Sequence, residues 1–346
     1  MTKGALRDGI KFHTPNGYLV VSDANSPFLR DNLAVARQNN IDMTFVSSHK
    51  IVPRFPYFMP FPKMEALFET NGAGMINPRS LINAQKAIFE QHGGTLINGV
   101  VTTVVKDFVE TEPEKTKLFK VTTNNNHTVL ARKVLLCPGA FIGHGNLLPK
   151  RMTFDVTNRA SVAARIETSV EQAERWRLMP SVSVESTRSY LPNDDNAGHK
   201  AFWLLPPVRY PDGCYYLKLG FSELSHQLQS LSTPYDISRW YRTDATDIGQ
   251  RLGQVAQGFV AGLRSPLRIV TDTCVTTDTP SRLPYIDRIS NESGGLYVCF
   301  AGNGWAAKSS DEIGRIAALM TVQDEWDCPF PKTWFKAQFA YPKPKI

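Results

Sequence analysis

The sequence predicts an α/β protein in which an N-terminally incomplete nucleotide-binding domain is interleaved with a mixed-sheet α+β domain. Three observations carry this reading. A helix pattern from Asn77 ends at Gly93-Gly94 and is followed by a strand, a small hairpin and a buried strand closed by Pro138-Gly139-Ala140, the order of the second half of a nucleotide-binding fold. From about Arg151 to Pro266 the character changes to strand-like pieces with one long helical stretch. The apolar strand GLYVCFA then meets the two-glycine turn GNG and a final helix, so the chain returns to its first domain. Residues 71–150 with 267–330 are expected to form the nucleotide-binding domain, and 10–70 with 151–266 the second.

The elements follow from local signals. Gly17–Ser22 reads as a turn into a strand, and Ser26-Pro27 as an N-cap with proline at the first helical position, opening a helix to Gln38. Val52–Pro62, with four prolines and four aromatics, predicts an irregular, partly buried connection. Asn77 to His92 has Leu81, Ala84, Ala87 and Ile88 at helical spacing. Thr95–Asn98 reads as the strand after it. VVTTVVKDF, LFKVTT, a turn at Asn124–Asn126 and TVLARKVLLC alternate or run apolar in short pieces, as an antiparallel sheet feeding a buried strand does. MTFDVTNRASVAARIE, PSVSVES, KAFWLLPPV and GCYYLKLGF are strand-like, and Ile237–Leu263 is helical. LRIVTDTCVTT, LPYIDRI and GLYVCFA are strands, and Lys308–Thr321 is the last helix.

Composition bounds the function. The chain has 346 residues with 42% hydrophobic and 21% charged, enough for one large or two interleaved domains. No apolar run reaches membrane-spanning length and the N-terminus has no secretory pattern, so an intracellular protein without a membrane partner is expected. Five cysteines without CxxC spacing argue against a disulfide framework and a zinc site. The net charge of +7 is scattered instead of forming a basic stripe, which disfavours nucleic acid and suits an anionic small molecule.

The turn at Gly302–Gly304 leads into a helix whose first turn holds Lys308, Ser309 and Ser310. Free amides there favour an anion or a polarised oxygen, although such glycines more often serve close packing. The wider context is more specific. CVTTDTPSRLPYID (Cys274–Asp287), then LYVCFA and GNGWAAKSSDEIG, resembles the C-terminal segment of the sarcosine oxidase and pipecolate oxidase family of FAD-dependent amine oxidases, with its CxYT-like strand, FIID-like strand and SGHGFKF. NPRSLINAQKAIFEQHGGTLINGVVTTV is similar to that family's FAD-domain helix and adenine-side strand, and KVLLCPGAF to its LIVSMGAW-type strand. The resemblance runs from about Gly17 to Thr321. It implies an FAD/NAD(P)-binding-type three-layer domain, FAD as cofactor, molecular oxygen as acceptor, and oxidation of the C–N bond of an amino acid or N-substituted amino acid to an imine with hydrogen peroxide.

The resemblance also implies site residues. Cys274 stands where monomeric sarcosine oxidases attach the flavin through a thioether; the alternative is a packed thiol. Gly302, Asn303, Gly304 and Trp305 fall where the family's turn faces the isoalloxazine, Val101 falls on the adenine-side strand, and Gly139 and Ala140 at the end of the LIVSMGAW-type strand. Lys308 matches the lysine of SGHGFKF after a two-residue shift, a contact for substrate carboxylate or flavin; otherwise it is a solvated lysine. Lys218, in YYLKLGF, matches the lysine that holds a water near flavin N5 and serves the reaction with oxygen. A cation there would stabilise charge developing on oxygen, and alternation puts it on one face with Tyr216 and Gly220.

Departures accompany the likeness. Ser222 stands where several members have histidine, and Asn303, Trp305 and Ala306 replace the His, first Phe and Lys of SGHGFKF, so the substrate pocket is expected to differ from that of sarcosine oxidase. Phe202, Trp203, Tyr210 and Tyr215 could line a more apolar pocket or be core. His49, His144, His199 and His226 have no metal-like or nucleophile-like spacing. Residues 1–60 have no GxGxxG strand turn and no partner acidic residue for the ribose, which leaves a second reading open: a truncated or degenerate member that no longer binds FAD and acts as a binding module. The ending Pro344-Lys345-Ile346 departs from a peroxisomal SKL signal at two of three positions, so the expected compartment is cytoplasm or peroxisome.

Overall fold

The computed structural model of the protein describes residues 6–7, 9–111, 114–149, 152–191, 200–222, 229–264, 268–290 and 295–340. In chain order the elements are β1 (Leu6–Arg7), β2 (Ile10–Lys11), β3 (His13–Thr14), β4 (Tyr18–Asp23), α1 (Pro27–Gln38), β5 (Met43–Val46), α2 (Ser48–Arg54), β6 (Met64–Glu69), β7 (Met75–Ile76) and α3 (Pro78–Gln91). There follow β8 (Val101–Thr111), β9 (Glu114–Thr123), β10 (Thr128–Ala131), β11 (Lys133–Leu136), β12 (Thr157–Thr168), α4 (Val170–Arg175), β13 (Ser181–Glu185), β14 (Ala201–Arg209) and β15 (Tyr215–Phe221). The rest are α5 (Pro234–Trp240), α6 (Thr246–Phe259), β16 (Ile269–Asp278), β17 (Tyr285–Arg288), β18 (Gly295–Phe300) and α7 (Ser310–Gln323). The chain forms two compact units, one from Met1–Thr95, Ser161–Leu228 and Arg242–Cys274, the other from Leu96–Ala160, Gln229–Tyr241 and Val275–Ile346.

The first unit is built on a mixed sheet of strand order β16-β12-β15-β14-β13-β4-β6-β5. β4 lies inside it, parallel to β13 and antiparallel to β6, and its Leu19, Val20 and Val21 are almost fully buried, the pattern of a strand covered on both faces. Ser26 Oγ accepts from Phe28 N at 3.2 Å and Pro27 opens α1. Asn77 Oδ1 accepts from the Arg79 and Ser80 amides at 3.1 and 3.2 Å to start α3. α6 buries Leu252, Val255, Ala256 and Phe259. Phe259 meets Phe58 and Phe202 at ring separations of 5.0 and 5.2 Å; burial of one such side chain is worth about 1.5–3 kcal/mol. Gly249 lets α6 approach β16 closely, because a Cβ there would lie 2.4 Å from Thr271 Cγ2.

The second unit is layered. β8, β9 and β10 form an antiparallel sheet. A second sheet of order β11-β18-β17 pairs β11 with β18 in parallel and β17 with β18 antiparallel. Val104 and Phe119 of the first sheet share a core with Leu136, Leu296, Val298 and Phe300 of the second. On that sheet's other face, Tyr297 and Ile286 meet Ile316, Ala317 and Met320 of α7.

Three expectations on local structure need correction. Thr95–Asn98 is not a strand; Leu96 and Ile97 are exposed, and the chain is instead held beyond it, where Asn124 takes both backbone groups of Val100. The aromatic, proline-rich connection begins within a helix, because α2 includes Val52 and Pro53. The long helical stretch is two helices: Asp244 Oδ1 accepts from Thr246 N at 2.9 Å and starts α6 afresh.

Candidate functional site

In the first unit, adjacent strands set the register of a charged cluster. Arg165 of β12 lies opposite Lys218 of β15, and Asp272 of β16 accepts from both. Arg165 Nη2 is 3.0 Å and Nε 3.1 Å from Asp272 Oδ1, and Lys218 Nζ is 3.2 Å from Asp272 Oδ2. One carboxylate therefore fixes two cations and leaves one net positive charge. The Arg165 guanidinium also stacks on Tyr210 and Tyr216, 4.9 and 5.3 Å from the ring centres, which fixes its plane.

Cys274 follows Asp272 by two residues and shares its face of β16. As a residue it is exposed. Solvent reaches the residue, yet the protein surrounding the sulfur raises the thiol pKa; a hydrogen bond with Ser161 and the positive charge of Lys218 act against that rise, and Asp272 adds to it. Trp203 of β14 lies opposite Gly220, two residues beyond Lys218. A Cβ at Gly220 would come within 2.6 Å of the Trp203 ring, so glycine is what lets the indole lie down on the sheet. Phe202, by contrast, is core.

In the second unit, the turn after β18 is a run of left-handed residues: Ala301 at φ 63°, Asn303 at φ 53° and Gly304 at φ 73°. Asn303 is buried and its side chain is spent inside the turn, accepting from Thr279 N at 2.8 Å and donating to Ala301 O at 2.7 Å. It shapes the turn; its side chain does not project from it. Gly302 O accepts from the Trp305 and Ala306 amides. Trp305 and Lys308 are exposed, and the Lys308 ammonium lies over the Trp305 ring at 5.5 Å from its centre. A short 3₁₀ segment, Ala306–Ser309, precedes α7.

Beside this turn Thr276 presents a buried hydroxyl with no hydrogen-bond partner, and a Cβ on Gly304 would come 3.4 Å from its methyl group. A buried unsatisfied hydroxyl costs about 1–3 kcal/mol, so it marks a place where a bound polar group would be favoured. Gly139, at φ 57°, opens a 3₁₀ turn with no atom within 4 Å of where its Cβ would be. The carbonyl of Ala140 accepts from Asn158 Nδ2 at 3.3 Å, and Asn158 Oδ1 accepts from Thr277 Oγ1 at 2.8 Å. Val101 packs against the core between the two sheets.

Sequence reasoning reached Lys218 and Cys274 separately, and the first unit holds both with Asp272. It missed Asp272, Arg165, Ser161 and Thr276. The available signal was alternation: 161 and 165 on β12, and 272, 274 and 276 on β16, each share one face. Among the described residues no group of three or more His, Cys, Asp and Glu could hold a metal ion, and no helix is long and apolar enough to cross a membrane. His199, His226 and the Pro344-Lys345-Ile346 ending lie outside the described residues.

Within the second unit, the orphaned Thr276 hydroxyl, the open backbone at Gly139 and the left-handed turn at Gly304 are chemically suited to a flavin with its polar edge and phosphates. Residues 3–320 match the DAO family, described as FAD dependent oxidoreductase. The chain belongs to this family and is an FAD-dependent oxidoreductase. No curated protein matches it by sequence. Among solved structures it is similar to NikD, an unusual amino acid oxidase essential for nikkomycin biosynthesis, with TM-score 0.73, 19% identity, and coverage of 100% of this chain and 82% of that one. It is similar to L-proline dehydrogenase from P. horikoshii, with TM-score 0.71, 16% identity and coverage of 97% and 79%. Amadoriase I from Aspergillus fumigatus, a fructosyl amine:oxygen oxidoreductase, gives TM-score 0.62, 16% identity and coverage of 93% and 70%. At these identities the likeness concerns the fold, the FAD-binding α/β architecture expected from the sequence.

Proposed function

We propose that this protein oxidises the C–N bond of a small amino acid or N-substituted amino acid, with molecular oxygen as acceptor and an imine and hydrogen peroxide as products. The observation that carries the proposal is the cluster Arg165–Asp272–Lys218 on the strand face that also carries Cys274. FAD, when bound, supplies the two-electron acceptor. Val101, Gly139, Ala140, Thr276 and the Gly302–Trp305 turn are the residues that would hold it, with Cys274 anchoring it through a thioether sulfur.

The work of the chain is electrostatic. Asp272 keeps the Lys218 ammonium in one place and Arg165 shares the carboxylate, so the net positive charge stays at the Lys218 end without a search over rotamers. A fixed cation stabilises negative charge that develops only as oxygen is reduced, and such preorganised stabilisation is the largest single contribution in many enzymes. The same charge favours a substrate carrying a carboxylate. Trp203, lying flat over Gly220, supplies an apolar wall for the rest of that substrate. Lys308, stacked on Trp305, is a second candidate contact for the carboxylate.

The test is peroxide release with a panel of N-methyl, N-alkyl and cyclic amino acids. Activity on at least one member, and its loss by about a hundredfold to a thousandfold in Lys218→Met, the scale of one electrostatic contact in an active site, is the expected result. A flavin-loaded protein inert to the whole panel, or a K218M variant with unaltered turnover, would refute it.

A further inference from the structure

Away from the lysine cluster, two thiols of the second unit stand side by side. β11 and β18 run parallel with Leu136 opposite Val298, so the next rung sets Cys137 against Cys299. Neighbouring strands lie about 4.8 Å apart, inside the Cα separation of about 4.4–6.8 Å that a disulfide spans. Alternation puts both sulfurs on one side. Leu136 and Val298 enter the core shared with Phe119, whereas Leu135, Tyr297 and Cys299 belong to the face that packs against α7, and Cys137 follows Leu135 by two.

Both cysteines are reduced, and their thiols are hydrogen-bonded to each other. The neighbouring Cys299 side chain holds the Cys137 thiol below the usual range against the opposing effect of burial, while the Cys299 thiol is pushed far above it. Cys137 is exposed and Cys299 half-buried. An exposed cysteine with a lowered thiol pKa next to a more buried partner with a raised one is the division of roles that an attacking and a resolving cysteine require.

We propose that Cys137 and Cys299 form a hydroperoxide-responsive thiol pair that closes to a disulfide and is reopened by a thiol reductant. The Cys137 thiolate attacks one oxygen of the hydroperoxide, the O–O bond breaks, and with one proton taken up the products are a Cys137 sulfenic acid and water, or an alcohol from an organic peroxide. The Cys299 sulfur then displaces the hydroxyl of the sulfenic acid as a second water, and the S–S bond forms. The pair loses two electrons, and the peroxide gains them. The inference stands on the two strands alone and does not depend on which reaction the flavin performs.

The test is to add hydrogen peroxide stepwise to the fully reduced protein, alkylate what remains free and map tryptic peptides. The expected product is a cross-link between peptides 134–150 and 289–308, reversed by dithiothreitol, with Cys137 consumed at least tenfold faster than Cys214 or Cys328. In Cys299→Ser the cross-link is absent and dimedone labels Cys137; in Cys137→Ser, Cys299 stays alkylatable. Oxidation of Cys137 no faster than of Cys214 and Cys328, or a disulfide joining either partner to another cysteine, would overturn the proposal. Wild-type protein alone distinguishes these outcomes, however the variants fold.

Discussion

Replacing Asp272 with Asn keeps the shape of the side chain and removes the charge that two cations share. Lys218 lies 3.2 Å and Arg165 3.0 Å from its oxygens, and at an effective dielectric of about 20 each pair is worth about 5 kcal/mol before desolvation. The three side chains are 19–32% exposed, so water screens the attraction and burial offsets part of the rest. Surface pairs contribute about 0–1 kcal/mol and loss of one partner of a buried pair costs about 3–5; the expectation for D272N is a loss of about 2 kcal/mol. Lys218→Met removes one of the two cations, so the cycle D272N, K218M and the double variant should give a coupling of about 1 kcal/mol. The assay is urea unfolding followed by tryptophan fluorescence, with m unchanged across the four proteins. The same cycle has a chemical readout in flavin-free protein. Lys218 lowers and Asp272 raises the Cys274 thiol pKa, so near-neutral alkylation of Cys274 should slow in K218M and quicken in D272N. A coupling below about 0.3 kcal/mol, or shifts of the same sign in both variants, would refute the cluster as a working unit.

Other outcomes follow from single residues. Thr276→Val removes the unpartnered buried hydroxyl and should stabilise the flavin-free protein by about 1 kcal/mol while weakening FAD affinity by about tenfold, read by thermal melts with and without FAD. Asn303→Ala breaks the three side-chain bonds that close the turn and puts alanine at φ 53°; a loss of about 2–3 kcal/mol is expected, partly restored in Asn303→Gly, by urea unfolding. Asp324 accepts from the Tyr297 phenol at 2.6 Å, and that bond, with Lys133 and Arg288, depresses its pKa against the contrary effect of desolvation. A depressed carboxylate contributes stability above its unfolded pKa and loses it as pH falls through the folded value, so Asp324→Asn should flatten the fall in melting temperature below about pH 4. An unchanged acid limb would contradict that assignment.

How much of this was legible in the sequence depended on whether the signal was local. The caps of α1 and α3 were readable because Ser26-Pro27 and Asn77-Pro78 act on their own next amides. The hairpin strands β8 to β10 were readable for the same reason: their partners are near in sequence. Thr95–Asn98 failed because an apolar tetrapeptide is a strand only if another strand takes its backbone groups, and sequence does not say whether one does. The break between α5 and α6 turned on one aspartate, Asp244, which takes the first amide of α6, in a stretch whose periodicity carried on through it. The site divides in the same way. Lys218 and Cys274 came through a motif resemblance, but Asp272, which joins Lys218 to Arg165, became visible only once β12, β15 and β16 were paired. Asn303 shows the converse, since the motif marked it as a contact and the fold turns its side chain inward. The pairing of Cys137 with Cys299, far apart in the chain, needed the register of two parallel strands.

The central claim is that these residues hold a flavin at Cys274, and the visible absorbance spectrum of the purified protein before and after acid precipitation tests it most directly. The account predicts flavin bands that remain with the precipitated protein and are lost from the pellet in Cys274→Ser. A colourless protein that takes up no added FAD would contradict it.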